Sequence, residues 1–451
     1  MALTSDEIAL LERHRRDLHS TTAQDLLMAA YADGEQALSL LGMAVPGEAY
    51  ERLAFAVQWP GMFVEQIESR QDVRALILPG DETADPRLAE AWDANNLDAD
   101  LSMFLWDRYV YGRAFMSCGS NEDDASMPLL HVESPREMSA FVDVRQRRMT
   151  SAAKFYGVDP VTRLSPTNAT LYMPDYTLWI QRDSSTGKWA EVDRDVHGLG
   201  RVPVVMSLSR RRSGSTVGRP LVTKVNDIAD GLARTMANMA FASEAAGIPR
   251  IGAIGMARGD FVGEDGKQLP KWAAYYNAIW ATGNKEAKFH QFSAADMKNF
   301  ETQVNVYGRL AASVTYLPAR YFGITSVNPA SEGAIDAEEA QFVKFVQRQN
   351  AQVGSVLGWA AALWLRFSSG EWVDGSRINV EWHNPGTPTI SQREDALGKR
   401  RAAGVLSREG YWDELGWSEA RKAKERAYFE SEAVDPFLSS ILRPVDAPLG
   451  D

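Results

Sequence analysis

The segment Tyr321–Asn350, YFGITSVNPASEGAIDAEEAQFVKFVQRQN, sets a glycine-and-proline turn directly against a long helical run. Asn328 is placed as an N-cap with Pro329 at the first helical position, the usual chemistry of a helix start. No proline follows before Ser368. The spacing therefore predicts a helix of roughly 39 residues, about 58 Å long at 1.5 Å per residue. Its apolar positions, Ile335, Phe342, Val346, Val353, Leu357, Ala360 and Trp364, advance in steps of seven, four and three. That is a narrow stripe, unlike the broad apolar face of a core helix. Few folds need so long a spine, headed by a loop with so little to bury.

At 451 residues the chain exceeds one typical core, so two or three domains are expected. Its charge is uneven. Residues 1–100 hold 19 acidic and 7 basic side chains, which accounts for the whole net charge of −12. From Val217 to Arg320 there are 12 basic and 9 acidic residues, a mildly positive region in an acidic protein. Such a balance argues against non-specific DNA binding over the whole surface. The single cysteine, Cys118, excludes an internal disulfide and fits a reducing compartment. The longest strongly apolar stretch, GWAAALWL near Trp359, is too short to span a bilayer, and the N-terminus lacks a signal peptide's apolar core. The protein is expected to be cytosolic where it is made, without a membrane partner.

Ser5 to Leu41 reads as helix, with Gly34 a candidate interruption, and Asp85 to Gly112 as a second helical region. Between Arg113 and Asp195 the period changes to short runs of β-branched and aromatic residues. RAFMSC, PLLHVES, MSAFVDV, TSAAKFYGV, ATLYMP and YTLWIQRD are separated by turn clusters, which predicts an antiparallel β region. LGRVPVVMSLSRRRSGSTVGRP reads as an extended connector. A helix then opens at Pro220 and stops at Gly247, with Leu221, Val225, Ile228, Leu232, Met236 and Met239 on one side. Another opens at Ser293, with Ser293 and Asp296 placed as a capping box and Phe292 and Met297 as a hydrophobic staple. Its stripe is Met297, Phe300, Val304, Tyr307, Ala311 and Val314, and Pro318 closes it. Ile248 to Gln291 is a compact mixed insert between the two. Ser391 with Glu394 marks a further helix start, and the stretch after Val434 reads as a loose tail.

Catalytic signatures fail one by one. His14, His19, His131, His197, His290 and His383 show no paired metal-ligand spacing. FVGEDGKQ misses a phosphate loop at both ends, since Phe261 stands where glycine and Gln268 where serine or threonine is needed. SGSTVG lacks the spacing of a nucleophile elbow, and Glu122, Asp123 and Asp124 lack that of a calcium loop. No enzymatic activity, cofactor or metal is expected.

An ordered set of stretches carries more. AWDANNLDAD, YVYGRAFM, HVESPREMSAFVDV, TLYMPDYTLWI, LGRVPVVMSLSRRR, GRP at Gly218 and FGITSVNPASEGAI together span roughly Trp92 to Leu363. In them the chain resembles the bacteriophage portal proteins, the head–tail connector family, in the branch from long-tailed phages of actinobacteria. The first ninety residues and the tail match loosely. The resemblance implies an α+β, mainly helical fold, with a wing over 1–216, one stem helix over 217–247, a small α/β clip over 248–292 and a second stem helix over 293–317. A tunnel loop over 318–328, a spine and return to the wing over 329–388, crown helices over 389–433 and a tail over 434–451 complete it.

The same resemblance implies a virion protein at one capsid vertex, a ring of twelve copies through which double-stranded DNA passes. Implied partners are the terminase large subunit and later the head–tail adaptor, with the major capsid and scaffolding proteins around the ring. Gly323, Thr325, Ser326, Val327 and Asn328 would form the tunnel loop. Leu221, Val225, Ile228, Leu232, Met297, Phe300, Val304, Tyr307 and Ala311 would form the stem seam, and Arg250, Arg258, Lys267, Lys271, Lys285 and Lys288 the charged groups of the clip. Aspartate at Val304 and Ala311 is then expected to open the ring while the wing still folds. Two alternatives remain from the sequence: another structural protein of the virion, such as an adaptor or scaffold-associated protein, and an enzyme without a recognisable motif. Rings seen by microscopy distinguish them.

Overall fold

The computed structural model describes residues 3–37, 56–158, 166–183, 186–246, 251–254, 286, 288–291, 297–324, 332–386, 390–417 and 419–434. The chain divides into two compact units, 1–385 and 386–451. Helix outweighs strand throughout, as an α+β, mainly helical chain requires.

The first helix, α1 (Ser5–Asp33), opens on a capping box in which Thr4 Oγ1 accepts from the Glu7 amide and the Glu7 carboxylate accepts from the Thr4 amide. Gly34, at φ +72°, ends it in the left-handed conformation, so the helix stops short of Leu41. α2 (Trp59–Glu68), which the sequence reading passed over, leads into β1 (Val73–Ile77). The helical region expected over Asp85–Gly112 is two helices, α3 (Pro86–Ala94) and α4 (Leu97–Val110). They break at Asn96, whose φ of 52° no continuing helix tolerates.

Seven strands follow in the region where β-branched runs predict them: β2 (Arg113–Gly119), β3 (Leu129–Glu133), β4 (Met138–Asp143), β5 (Arg148–Val158), β6 (Pro166–Tyr172), β7 (Thr177–Arg182) and β8 (Trp189–Asp195). The expected connector contains an eighth strand, β9 (Val204–Leu208), which pairs antiparallel with β2. Two sheets result. One is a five-stranded antiparallel meander in sequence order from β4 to β8, and the other has the order β3-β2-β9. α1 lies on the meander, where fully buried His14 bridges Ser139 Oγ (3.0 Å) and Ser151 Oγ (2.9 Å). Burial holds that imidazole neutral, its pKa lowered to about 3.

α5 (Asn226–Ala246) begins four residues after Val222, behind a single 3-10 turn, so Leu221 and Val225 precede the helix expected to carry them. Within the insert, β10 (Ile251–Ile254) and β11 (Lys288–Gln291) pair antiparallel. α6 (Lys298–Thr315) ends at Tyr316, in the left-handed region, ahead of Pro318 and a 3-10 turn over Ala319–Phe322. Phe292, Ser293 and Asp296, the expected cap and staple residues, lie outside the described residues.

The long helix is present as α7 (Glu332–Ser369), 38 residues. Asn328 and Pro329 lie outside the described residues. Its stripe is not the narrow seam that the spacing predicts. Phe342, Val346, Val353, Leu357, Ala360 and Trp364 are buried as expected and Ile335 is 37% exposed, but Ala361, Ala362, Leu363 and Leu365 are buried too. The helix is therefore enclosed on every side over 360–365, as in a core helix, and its final turn opens to solvent. Alanine and glycine produce this. A Cβ on Gly358 would stand 2.4 Å from the Gly375 carbonyl oxygen, so only glycine lets the following segment approach. That segment forms β12 (Asn379–Trp382), which pairs antiparallel with β1. Trp364 Nε1 donates to the Pro128 carbonyl at 3.0 Å.

The unit over 386–451 contains α8 (Ile390–Ala402), α9 (Arg408–Glu414) and α10 (Glu419–Val434). α8 already includes Ser391, which is therefore not its N-cap. Trp412 stacks on Trp417 and Phe429 at centroid separations of 5.7 and 5.8 Å, and Arg426 donates twice to the Glu409 carboxylate.

Candidate functional site

α5 and α6 pack side by side, and their sequence explains the contact. A Cβ on Gly231 would lie 2.6 Å from Tyr307 Cε1, so this glycine lets the tyrosine ring pack flat against the partner helix. Around it, Val57, Ala229, Leu232 and Ala233 are buried, with Met236, Val304 and Tyr307 packed against them. Tyr31 donates to Asp230 Oδ2 at 2.7 Å and ties α1 to the pair. Where α5 begins, Lys224 donates to the Val314 carbonyl at 2.9 Å and lies over the Tyr316 and Phe345 rings. Burial, then the charge of Arg210, lower its pKa below the usual lysine range.

Of the residues expected to form a seam, Leu221, Val225 and Ala311 are fully buried in the main core. Leu232 is buried in the satellite cluster between α5 and α6, while Ile228, Phe300, Val304 and Tyr307 are half-buried. Met297 is 38% exposed. Four of the nine thus pack within the chain, and the other five keep exposed surface. A charge at Ala311 would be buried there, so aspartate at this position unsettles the subunit itself, contrary to the expectation that the wing still folds. The large apolar groups that α6 leaves exposed are Val306 and Leu310, on another face of the same turns. Helical spacing alone could not tell the occupied face from the open one, because both contain apolar residues three and four apart.

Gly323, at φ +79° with open space around its Cα, turns the chain out of the 3-10 segment. Thr325, Ser326, Val327 and Asn328 lie outside the described residues, as do Arg250, Arg258, Lys267, Lys271 and Lys285. Lys288 is exposed on β11, opposite Ile254. What the structure adds is the anchorage on both sides of the loop. Arg320 donates to Glu338 (2.8 Å) and Glu339, while Arg70 donates to Glu339 Oε2 (3.2 Å) and to the Tyr321 hydroxyl (2.9 Å). The Arg70 and Glu339 side chains are each only 7% exposed. About three helical turns separate this clamp from Gln349 and Asn350, where a second polar cluster begins. Fully buried Arg108 donates to Gln349 (2.9 Å), Gln352 (2.8 Å) and Ser207 (2.9 Å), and Gln71 donates to Asn350 (2.7 Å). Neither cluster shows in the sequence, since the pairs that join distant elements, Arg70–Glu339, Arg108–Gln349 and Gln71–Asn350, lie 241 to 279 positions apart.

This arrangement can hold a short loop in place; it offers no reactive group. Among the described residues no three His, Cys, Asp or Glu side chains are grouped to hold a metal ion. Cys118 is buried, and burial pushes its thiol pKa far up. No described helix is long and apolar enough to cross a membrane.

The family described as phage portal protein, SPP1 Gp6-like, matches residues 41–435. The portal protein of Mycobacterium phage L5 is 32% identical over 442 residues, covering 95% of this chain and 88% of that protein. The portal protein of Mycobacterium phage D29 is 32% identical over 449 residues, covering 96% and 89%. Among solved structures, the neck of an empty gene transfer agent particle aligns with a TM-score of 0.47 at 17% identity, over 87% of this chain and 98% of that one. The virion of a native gene transfer agent particle aligns with a TM-score of 0.44 at 15% identity, over 88% and 99%. The chain belongs to the phage portal protein family.

Proposed function

From that membership we propose that copies of this chain close into a twelve-membered ring at one vertex of a phage capsid and form the channel through which double-stranded DNA enters and leaves. The observation that carries this is the family match over residues 41–435, joined by identity to two portal proteins along almost the whole chain. In this proposal α5 and α6 line the channel as the stem, and the insert that holds β10 and β11 is the clip. The clip meets the terminase large subunit during packaging and the head–tail adaptor afterwards, while capsid and scaffolding proteins surround the ring. The loop after Gly323 faces DNA, α7 is the spine that fixes it, and the unit over 386–451 is the crown. A conduit should not grip its cargo. Each neutralised phosphate adds affinity and friction, so an acidic chain with dispersed cations suits passage. The subunit itself hydrolyses no nucleotide and leaves that work to the terminase.

Negative-stain microscopy of the purified full chain tests the proposal. Closed rings with a central hole are expected, and a uniform population of compact monomers under all assembly conditions would overturn it. ATP turnover by the pure protein would contradict the passive role.

A further inference from the structure

β9 is an edge strand of the β3-β2-β9 sheet. Its Pro203 carbonyl and Ser209 amide bond to the β2 side, to Cys118 and Gly112. By the two-residue period of a strand, the backbone groups of Val204, Met206 and Leu208 point the other way. Among the described residues only the Leu208 carbonyl there has a partner, Arg108 at 3.5 Å. Along this edge runs a groove of about 520 Å³, lined by every residue of β9 in turn. Consecutive strand residues point to opposite faces, so only a groove lying on the strand's edge touches all five. The β4–β5 hairpin forms one wall through Val142 and Met149, and α7 forms the other through Val356 and Trp359.

The groove's charge has one sign. Arg147, Arg201, Arg210 and Arg211 line it, and no carboxylate does. Arg201 lies over the Trp359 ring at 3.4 Å, and Arg210 donates to the Pro220 carbonyl and Thr223. Neither forms an ion pair with a described residue, nor do Arg147 and Arg211. Burial, then the like charge of Arg148, lower the Arg201 pKa to about 10, with Asp374 opposing. The guanidinium remains charged at neutral pH, and its charge is not neutralised.

We infer that this groove takes an extended acidic segment of a partner protein, added as a strand to the free edge of β9 with its carboxylates on the arginines. An acidic peptide meets all three features at once. It offers both amides and carbonyls to the edge, apolar side chains to Val142, Met149, Val356 and Trp359, and charge to the arginines. A nucleic-acid backbone supplies charge but no donors for the Val204 and Met206 carbonyls and no aliphatic groups for the walls. The inference stands apart from the proposed channel, because it depends only on the fold of one subunit.

The test uses the full-length protein in whatever assembly it adopts, with the labelled peptide acetyl-Glu-Val-Asp-Val-Glu-Val-Asp-amide as the probe. Saturable binding is expected, together with slower amide exchange in the segment spanning 203–208. The doubly substituted protein R147E/R211E, altered at two exposed side chains, should retain its circular dichroism and lose at least about tenfold in affinity, roughly the 1.4 kcal/mol that corresponds to such a ratio. The same peptide N-methylated at every second residue, prepared in both phases, should lose about tenfold in at least one phase. Parent-like affinity for both methylated peptides would overturn strand addition. Unchanged affinity in R147E/R211E would overturn the charge contact. Absence of binding, or displacement of the peptide by an equimolar single-stranded DNA oligonucleotide, would overturn the choice of partner.

Discussion

The two ends of α7 are held by different physics. From Ala360 to Leu365 the helix is enclosed by apolar side chains, and among the described residues the Trp364 bond to Pro128 is its polar tie to another segment. From Ile335 to Val346 only one face is buried, and position is fixed by the Arg70–Glu339–Arg320 clamp with the Tyr321 hydroxyl. Apolar enclosure is non-directional and insensitive to salt, so it anchors. A clamp of charged groups is directional and specifies one geometry for the segment it holds. In the portal reading the far end fixes the subunit while the near end aims the loop.

Four substitutions, three on α7 and one in the 3-10 turn before it, separate the two kinds of support. Trp364→Ala should cost most, about 3–5 kcal/mol for a large buried aromatic side chain, measured as a lower denaturant midpoint for the unit over 1–385. Glu339→Gln keeps the shape but removes the charge that Arg70 and Arg320 share. About 2 kcal/mol is expected, and amide exchange should rise around 319–324 while the segment near Trp364 stays unchanged. A uniform rise along the helix would show that the two ends are not supported independently. Arg320→Ala, at a side chain 33% exposed, should cost about 1 kcal/mol or less. Its effect should shrink in high salt, whereas that of Trp364→Ala should not. Ile335→Ala, at a position 37% exposed, should fall within about 0.5 kcal/mol of the parent.

What the sequence made legible follows the same division. The long helix, the meander and the helix–insert–helix order rest on local periodicity, and each appears near its expected place. The failures are non-local. β9 was missed because VVMSL is five residues long and lies between glycine, proline and arginine, so only its pairing with β2 defines it. β1 and β12 pair across some three hundred positions, and neither is long enough to declare itself. WPGMFVEQIE looks broken by Pro60 and Gly61, yet proline is tolerated in a first helical turn and α2 forms. The width of α7's buried face does not show in the sequence because Ala361, Ala362 and Gly358 read as neutral, although the alanines are buried and the glycine lets Gly375 approach. The Arg70–Glu339 clamp left no sequence pattern at all. Of the seam residues, Leu221, Val225, Leu232 and Ala311 are buried within the chain, while Ile228, Phe300, Val304, Tyr307 and Met297 keep exposed surface.

The central claim is that the near end of α7 holds a loop that works on DNA. Replacing Thr325, Ser326 and Val327 with glycine leaves Arg70, Arg320, Tyr321 and Glu339 in place. DNA content per capsid, compared between this variant and the parent at equal ring yield, tests the claim most directly. The account predicts normal rings with fewer filled heads or poorer DNA retention. Normal rings with equal DNA content would contradict it, leaving the segment after Gly323 a plain connector.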